Sequence, residues 1–131
     1  MTAPGRYLAK ARESLASAEA DLAAGRFNSV ANRAYYAAFQ AAVAMLVAEG
    51  VQARGSSWEH KFVLAQFSVT LVRRRKLFPG EFRHVMQAMM DLRLKADYQE
   101  GWVTRNEANR MVRSASTIVS AASDRLARRV D

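Results

Sequence analysis

Along most of the chain apolar residues recur at alternating steps of three and four, the spacing of helices with one buried face, and no convincing strand pattern interrupts them. The first helix is predicted over about Gly5 to Ala24, with Leu8, Ala11, Leu15, Ala18 and Leu22 on its inner face and Gly25 as its stop. A second, from about Asn28 to Glu49, is apolar on nearly every side, as the central helix of a bundle must be, and Gly50 ends it. Ser56 and Glu59 form a capping-box pattern that would open a third helix carrying Phe62, Val63, Leu64, Phe67 and Leu71. That helix is predicted to end in the basic run Arg73, Arg74, Arg75, Lys76.

Pro79 suits the first turn of a fourth helix with the seam Phe82, Val85, Met86, Met89, Leu92 and Ala96, and Gly101 breaks it. Thr104 and Glu107 make a second capping box for a last helix with Met111, Ala115, Ile118, Ala122 and Leu126 inward. The expected class is all-α, an antiparallel up-and-down bundle of four to five helices. Its 131 residues suit one domain, 1–131, and the chain shows neither repeat nor linker. A hydrophobic share of 50% with only two prolines argues for a packed core rather than a disordered tail.

The formal charge of +8 changes the picture of possible partners. It comes mainly from arginine, whose planar fork of donors fits phosphate, so RNA, DNA or a nucleotide is a natural ligand. A basic surface can equally serve solubility. With no cysteine there are no disulfides or thiolate metal sites, and two histidines make a zinc site an unsupported reading. No metal or other cofactor is expected. The apolar stretch Ala34 to Ala48 is shorter than the roughly 20 residues that cross a bilayer, and Gln40 interrupts it. The opening MTAPGRYLAK lacks the apolar core of a secretory signal, so a cytoplasmic address with no membrane contact is expected.

Within the second helix, Arg33, Tyr36 and Gln40 form one narrow polar stripe. A buried arginine is costly without an anion, which leaves an internal carboxylate or a substrate phosphate as its partner. In the fourth helix, Arg93 and Asp97 stand at i and i+4, where they can pair, while Tyr98 is turned about 140° from Arg93. His60 is in phase with Leu64, Phe67 and Leu71; it is either a core-edge histidine donating to a backbone carbonyl or part of a site. His84 reads as a surface residue. The run Arg73 to Lys76 is favoured at a helix end by the macrodipole and could also contact phosphate. No glycine-rich phosphate loop, nucleophile elbow or paired-carboxylate spacing is present.

Three pieces taken together, DLAAGRFNSVANRAYYAAFQAAVAML, His60 opening the next helix, and DLRLKADY closing the fourth, resemble the HEPN domain (higher eukaryotes and prokaryotes nucleotide-binding). The likeness is to its small stand-alone prokaryotic branch, with RAYYA and R-x-x-A-D-Y motifs, and runs from about Tyr7 to Leu126. It implies a helical bundle, usually a homodimer, with a cleft where the two fourth helices meet. It also implies a toxin and antitoxin pair, a minimal nucleotidyltransferase as partner, and metal-independent ribonuclease activity. The alternative within the family is a non-catalytic subunit that binds a nucleotide or that partner.

The family's signature is an arginine, four to six residues, then a histidine. Its arginine falls on Arg93 and its histidine position on Tyr98, with Asp97 just before it. A phenol with an ordinary pKa near 10 is a poor base at neutral pH. The implied site is therefore Arg93 and Arg33 for phosphate, with Asp97, Tyr98 or His60 for proton transfer and the Arg73 to Lys76 run as a guide for RNA. Arg54 and His60 satisfy the literal spacing in a different place, across a loop. Antiparallel packing of the third and fourth helices would also bring His60 toward Arg93.

Overall fold

The structure, a computed structural model, describes residues 2–128. Helix α1 covers Ala3–Ala23, α2 Phe27–Ala48, α3 His60–Gln66, α4 Val85–Tyr98 and α5 Arg105–Arg128. From α3 the chain runs directly into a π-helical stretch, Phe67–Arg74, and a 3-10 turn over Gly80–His84 leads into α4. Among the described residues no strand forms, so the class is all-α as the periodicity predicts.

Local chemistry explains where these helices start and stop. Thr2 caps α1 by accepting from the Gly5 N–H at 3.2 Å, so the helix begins at Ala3, two residues before the predicted start. Gly25, at φ +76°, closes α1 in the left-handed conformation while the Arg26 N–H reaches the Asp21 carbonyl at 2.9 Å, a Schellman arrangement. The Thr104 and Glu107 box forms in both directions, at 2.9 and 3.1 Å. Its counterpart at Ser56 and Glu59 does not. Gly55 takes φ +70° and turns the chain there, so α3 begins only at His60, and Glu59 makes no side-chain cap. Pro79 likewise stays extended before the 3-10 turn, which delays α4 to Val85.

Helix α2 is the axis of the molecule, packed by α1, α4 and α5. Its many buried alanines let neighbouring backbones approach, and Met45, Leu46, Val43 and Tyr35 fill the centre. Each large side chain so buried contributes about 1.5–3 kcal/mol. Contacts fix the helix directions. Arg93 and Asp97 of α4 lie beside Tyr36 and Asn32, so α4 runs antiparallel to α2. His60 lies at Tyr35 and Arg75 at Glu49, so α3 and its π-helical extension travel with α2 after the loop 49–59 has carried the chain back. Strict up-and-down alternation therefore breaks between α2 and α3, while α3 and α4 keep the antiparallel relation that the sequence predicts.

Two features at the margins matter later. Glu49, with its side chain 2% exposed, accepts from Arg75 at 2.9 Å and Arg125 at 2.7 Å, tying the end of α2 to the π-helical stretch and α5. Helix α4 buries fully only Met86 and Met89 of its predicted seam, and it presents Leu94 and Tyr98 to solvent.

Candidate functional site

Near the middle of α2, residues from three helices converge. Tyr35 is fully buried, and its hydroxyl lies 2.6 Å from His60 Nδ1. The His60 ring also packs on Phe39, centroids 4.5 Å apart. The guanidinium of Arg93 sits over the rings of Tyr36 at 5.1 Å and Tyr35 at 5.6 Å, within cation–π range. An arginine and a histidine from separate helices thus flank one tyrosine.

The protonation of this group follows from its surroundings. Burial raises the Tyr35 pKa far above its ordinary value, with Tyr36 adding to the rise and Arg93 opposing it. Burial, reinforced by the Arg93 charge, lowers that of His60. A neutral phenol therefore meets a neutral imidazole. Among the described residues the Tyr35 hydroxyl has no acceptor other than Nδ1, so it donates there and the imidazole hydrogen resides on Nε2. His60 consequently offers an N–H donor rather than a free lone pair.

Arg93 is the residue with most left undone. Its side chain is 14% exposed, and Asp97 Oδ2 lies 3.4 Å from its Nε, close enough for an ion pair but not aligned for a hydrogen bond. Among the described residues its only hydrogen-bond contact is a weak one, from Nη1 to Met90 Sδ at 3.7 Å. A buried guanidinium with spare donors is set up to receive an anion.

Beside it opens a cleft of about 320 Å³ lined by Asp21, Asn28, Ser29, Asn32, Arg33 and Asp97. Asn32 bridges Arg33 and Asp97. It donates to Asp97 at 3.2 Å and accepts from Arg33 at 2.6 and 3.0 Å. Asn28 fixes the far wall, accepting from the Val103 N–H at 2.9 Å.

The sequence-predicted residues divide accordingly. Arg93, Asp97, Tyr36 and His60 come together, with Arg33 stacked on Tyr36 at 5.6 Å. Two expectations are corrected. Arg33 is partly buried and is held by the neutral Asn32 amide, not a carboxylate. His60 pairs with a phenol, not a backbone carbonyl. Gln40 faces α1, where, oriented to satisfy its amide, it donates to the Lys10 and Tyr36 carbonyls at 3.1 Å. Tyr98 is 73% exposed on the outer face of α4, away from this group. Arg54 turns to the Phe62 ring at 4.9 Å, and His84 is exposed. Of the basic run, Arg75 is engaged by Glu49, whereas Arg73, Arg74 and Lys76 make no ion pair among the described residues.

Sequence reasoning missed Tyr35 and Asn28. Both stand in α2, and Tyr35 looked like one more core aromatic because nothing local marks which of two adjacent tyrosines has a buried acceptor waiting. Among the described residues no group of three or more metal-ligating side chains assembles, and no helix is long and apolar enough to cross a membrane.

Comparison with curated proteins finds no match. The HEPN domain family matches residues 5–126, from the first turn of α1 to near the end of α5. An all-α bundle with α2 at its axis, matched over nearly its whole length, places the chain in one group: it belongs to the HEPN domain family.

Proposed function

We propose that this chain is the HEPN component of a toxin and antitoxin pair, acting on RNA as a homodimer in the cytoplasm, with a minimal nucleotidyltransferase as its partner. The observation that carries the RNA reading is Arg93, whose buried Nε has no hydrogen-bond partner among the described residues. A phosphate oxygen would complete it. The other half of the reading is metal-independent cleavage by attack of the ribose 2′-hydroxyl, which needs a proton acceptor. Of the two carboxylates at the cleft Asp21 is paired with Arg26, whereas Asp97 has only a loose contact with Arg93, which phosphate would displace to free it for that role. Exposed Leu94 and Tyr98, one turn apart on α4, support a dimer seam there.

A second reading has its own support. Asp97 is already engaged by Arg93 and Asn32, and Asp21 by Arg26, so both carboxylates of the cleft are held. That arrangement suits a non-catalytic subunit that holds a nucleotide or RNA for its partner. Incubating the purified protein and Arg93→Ala with structured RNA separates the two. The ribonuclease reading expects cleavage by the native chain and none by the variant; absence of cleavage with retained, Arg93-dependent RNA binding supports the non-catalytic one. Equal cleavage by both proteins contradicts a catalytic role for this site.

A further inference from the structure

At the far end of α2 a second hollow opens between the π-helical stretch and the 3-10 turn. It measures about 390 Å³ and is lined by Val72, Arg73, Lys76, Phe78, Gly80 and Arg83. We infer that it is a second RNA-binding subsite, where one nucleotide unit of a single strand rests its base on an apolar floor and its phosphate on a cationic rim. This rests on the RNA reading proposed for Arg93.

Three observations carry it. Arg73 and Lys76 make no ion pair among the described residues, and Arg83 meets only the His84 ring, at 3.4 Å. Their charges are therefore uncompensated, unlike that of Arg75, which Glu49 turns away from the run. Next, Lys76 is held at φ +55°, the left-handed conformation that costs a residue with a side chain but not a glycine. The closures of α1 and α2 use Gly25 and Gly50 in this conformation; here a lysine bears the strain and adds a cation to the rim. Finally, the floor is Val72 and Phe78, both buried, with Phe78 braced by Phe67 and Phe82.

A free inorganic phosphate gains nothing from such a floor, whereas a nucleotide has both an apolar face and an anion. The volume lies in the range of small-ligand sites. Glu49 follows Tyr36 by thirteen positions along α2 and its C-cap, so the hollow is roughly 20 Å from Arg93 along the helix, a distance that several nucleotides of one strand can span.

The test is fluorescence anisotropy with a labelled poly(U) oligonucleotide across a salt series, on the native chain, Lys76→Gly, Arg73→Ala with Arg83→Ala, and Arg93→Ala. Lys76→Gly relieves the backbone while deleting the charge. It is expected to raise the melting temperature by a few degrees and to weaken RNA binding several-fold, opposite signs that a purely structural lysine does not produce. The double variant is expected to bind at least about tenfold more weakly, with a salt slope smaller by about 0.7 for each lost contact. Unchanged affinity in both sets overturns the subsite, as does a native chain that does not bind poly(U). Displacement of the RNA by poly-glutamate at equal charge concentration also overturns it, pointing to an acidic protein as the occupant. If Arg93→Ala binds normally while the hollow's variants are weakened, the Arg93 reading fails and the subsite stands; the reverse pattern removes only the subsite.

Discussion

The neutral pair Tyr35 and His60 sets how the site responds to pH. With its folded-state pKa below the ordinary 6.5, His60 takes up a proton more readily in the unfolded chain, so its contribution to stability declines as pH falls from 6.5 toward the folded value. Thermal unfolding measured across that window is expected to show the decline in the native chain and to lose this component in His60→Gln. Tyr35→Phe removes the donor that favours neutral Nδ1. It is expected to raise the His60 pKa, read by NMR titration, and to cost about 1 kcal/mol in denaturant unfolding. At this scale the sequence was informative about residue types and less so about depth. Arg33 stands among apolar neighbours and invites the inference of burial, yet it faces the cleft; Arg93, in a more polar helix, is covered because two tyrosines from α2 lie over it. Periodicity along one helix does not report what a neighbouring helix brings to its surface.

At the level of elements, two identical-looking signals had different outcomes. Thr104 with Glu107 formed its capping box; Ser56 with Glu59 did not, because Gly55 directly before it turns the chain in the left-handed region. A cap pattern acts only where the preceding residue allows a straight entry to the helix. Thr104→Ala is expected to cost about 1 kcal/mol in urea unfolding, and Ser56→Ala close to nothing, a contrast that a shared capping role would not give. The π-helical stretch was illegible for another reason: one extra residue per turn leaves the apolar spacing nearly intact, so Phe67 and Leu71 read as ordinary helix. The central helix was the most legible element, since a segment apolar on all sides has one stable location. Leu46→Ala, at its fully buried end, is expected to cost about 2–5 kcal/mol by the same measurement.

For the whole molecule, the partition of α4 gives the site its context. One side carries Arg93 and Asp97 to α2, and the other leaves Leu94 and Tyr98 in solvent. A dimer through that outer side would set two Arg93 clefts on neighbouring helices and give Tyr98 a role at their seam. Leu94→Asp with Tyr98→Asp is expected to yield a monomer by light scattering with unchanged helical circular dichroism; a native chain already monomeric at micromolar concentration rules the seam out. The cleft beside Arg93 and the hollow at Lys76 stand toward opposite ends of α2, so the proposed RNA path follows the central helix.

Everything proposed for the cleft depends on Arg93 receiving a phosphate. Arg93→Met keeps the stem that packs on the tyrosines and removes the donors, so it isolates that interaction from packing. Equilibrium binding of single-stranded RNA at fixed salt is the direct measurement. Arg93→Met is expected to fold, to melt at or above the native temperature and to bind RNA at least about tenfold more weakly, the loss of a charge-assisted phosphate contact. Equal affinity of the two proteins for RNA would contradict it.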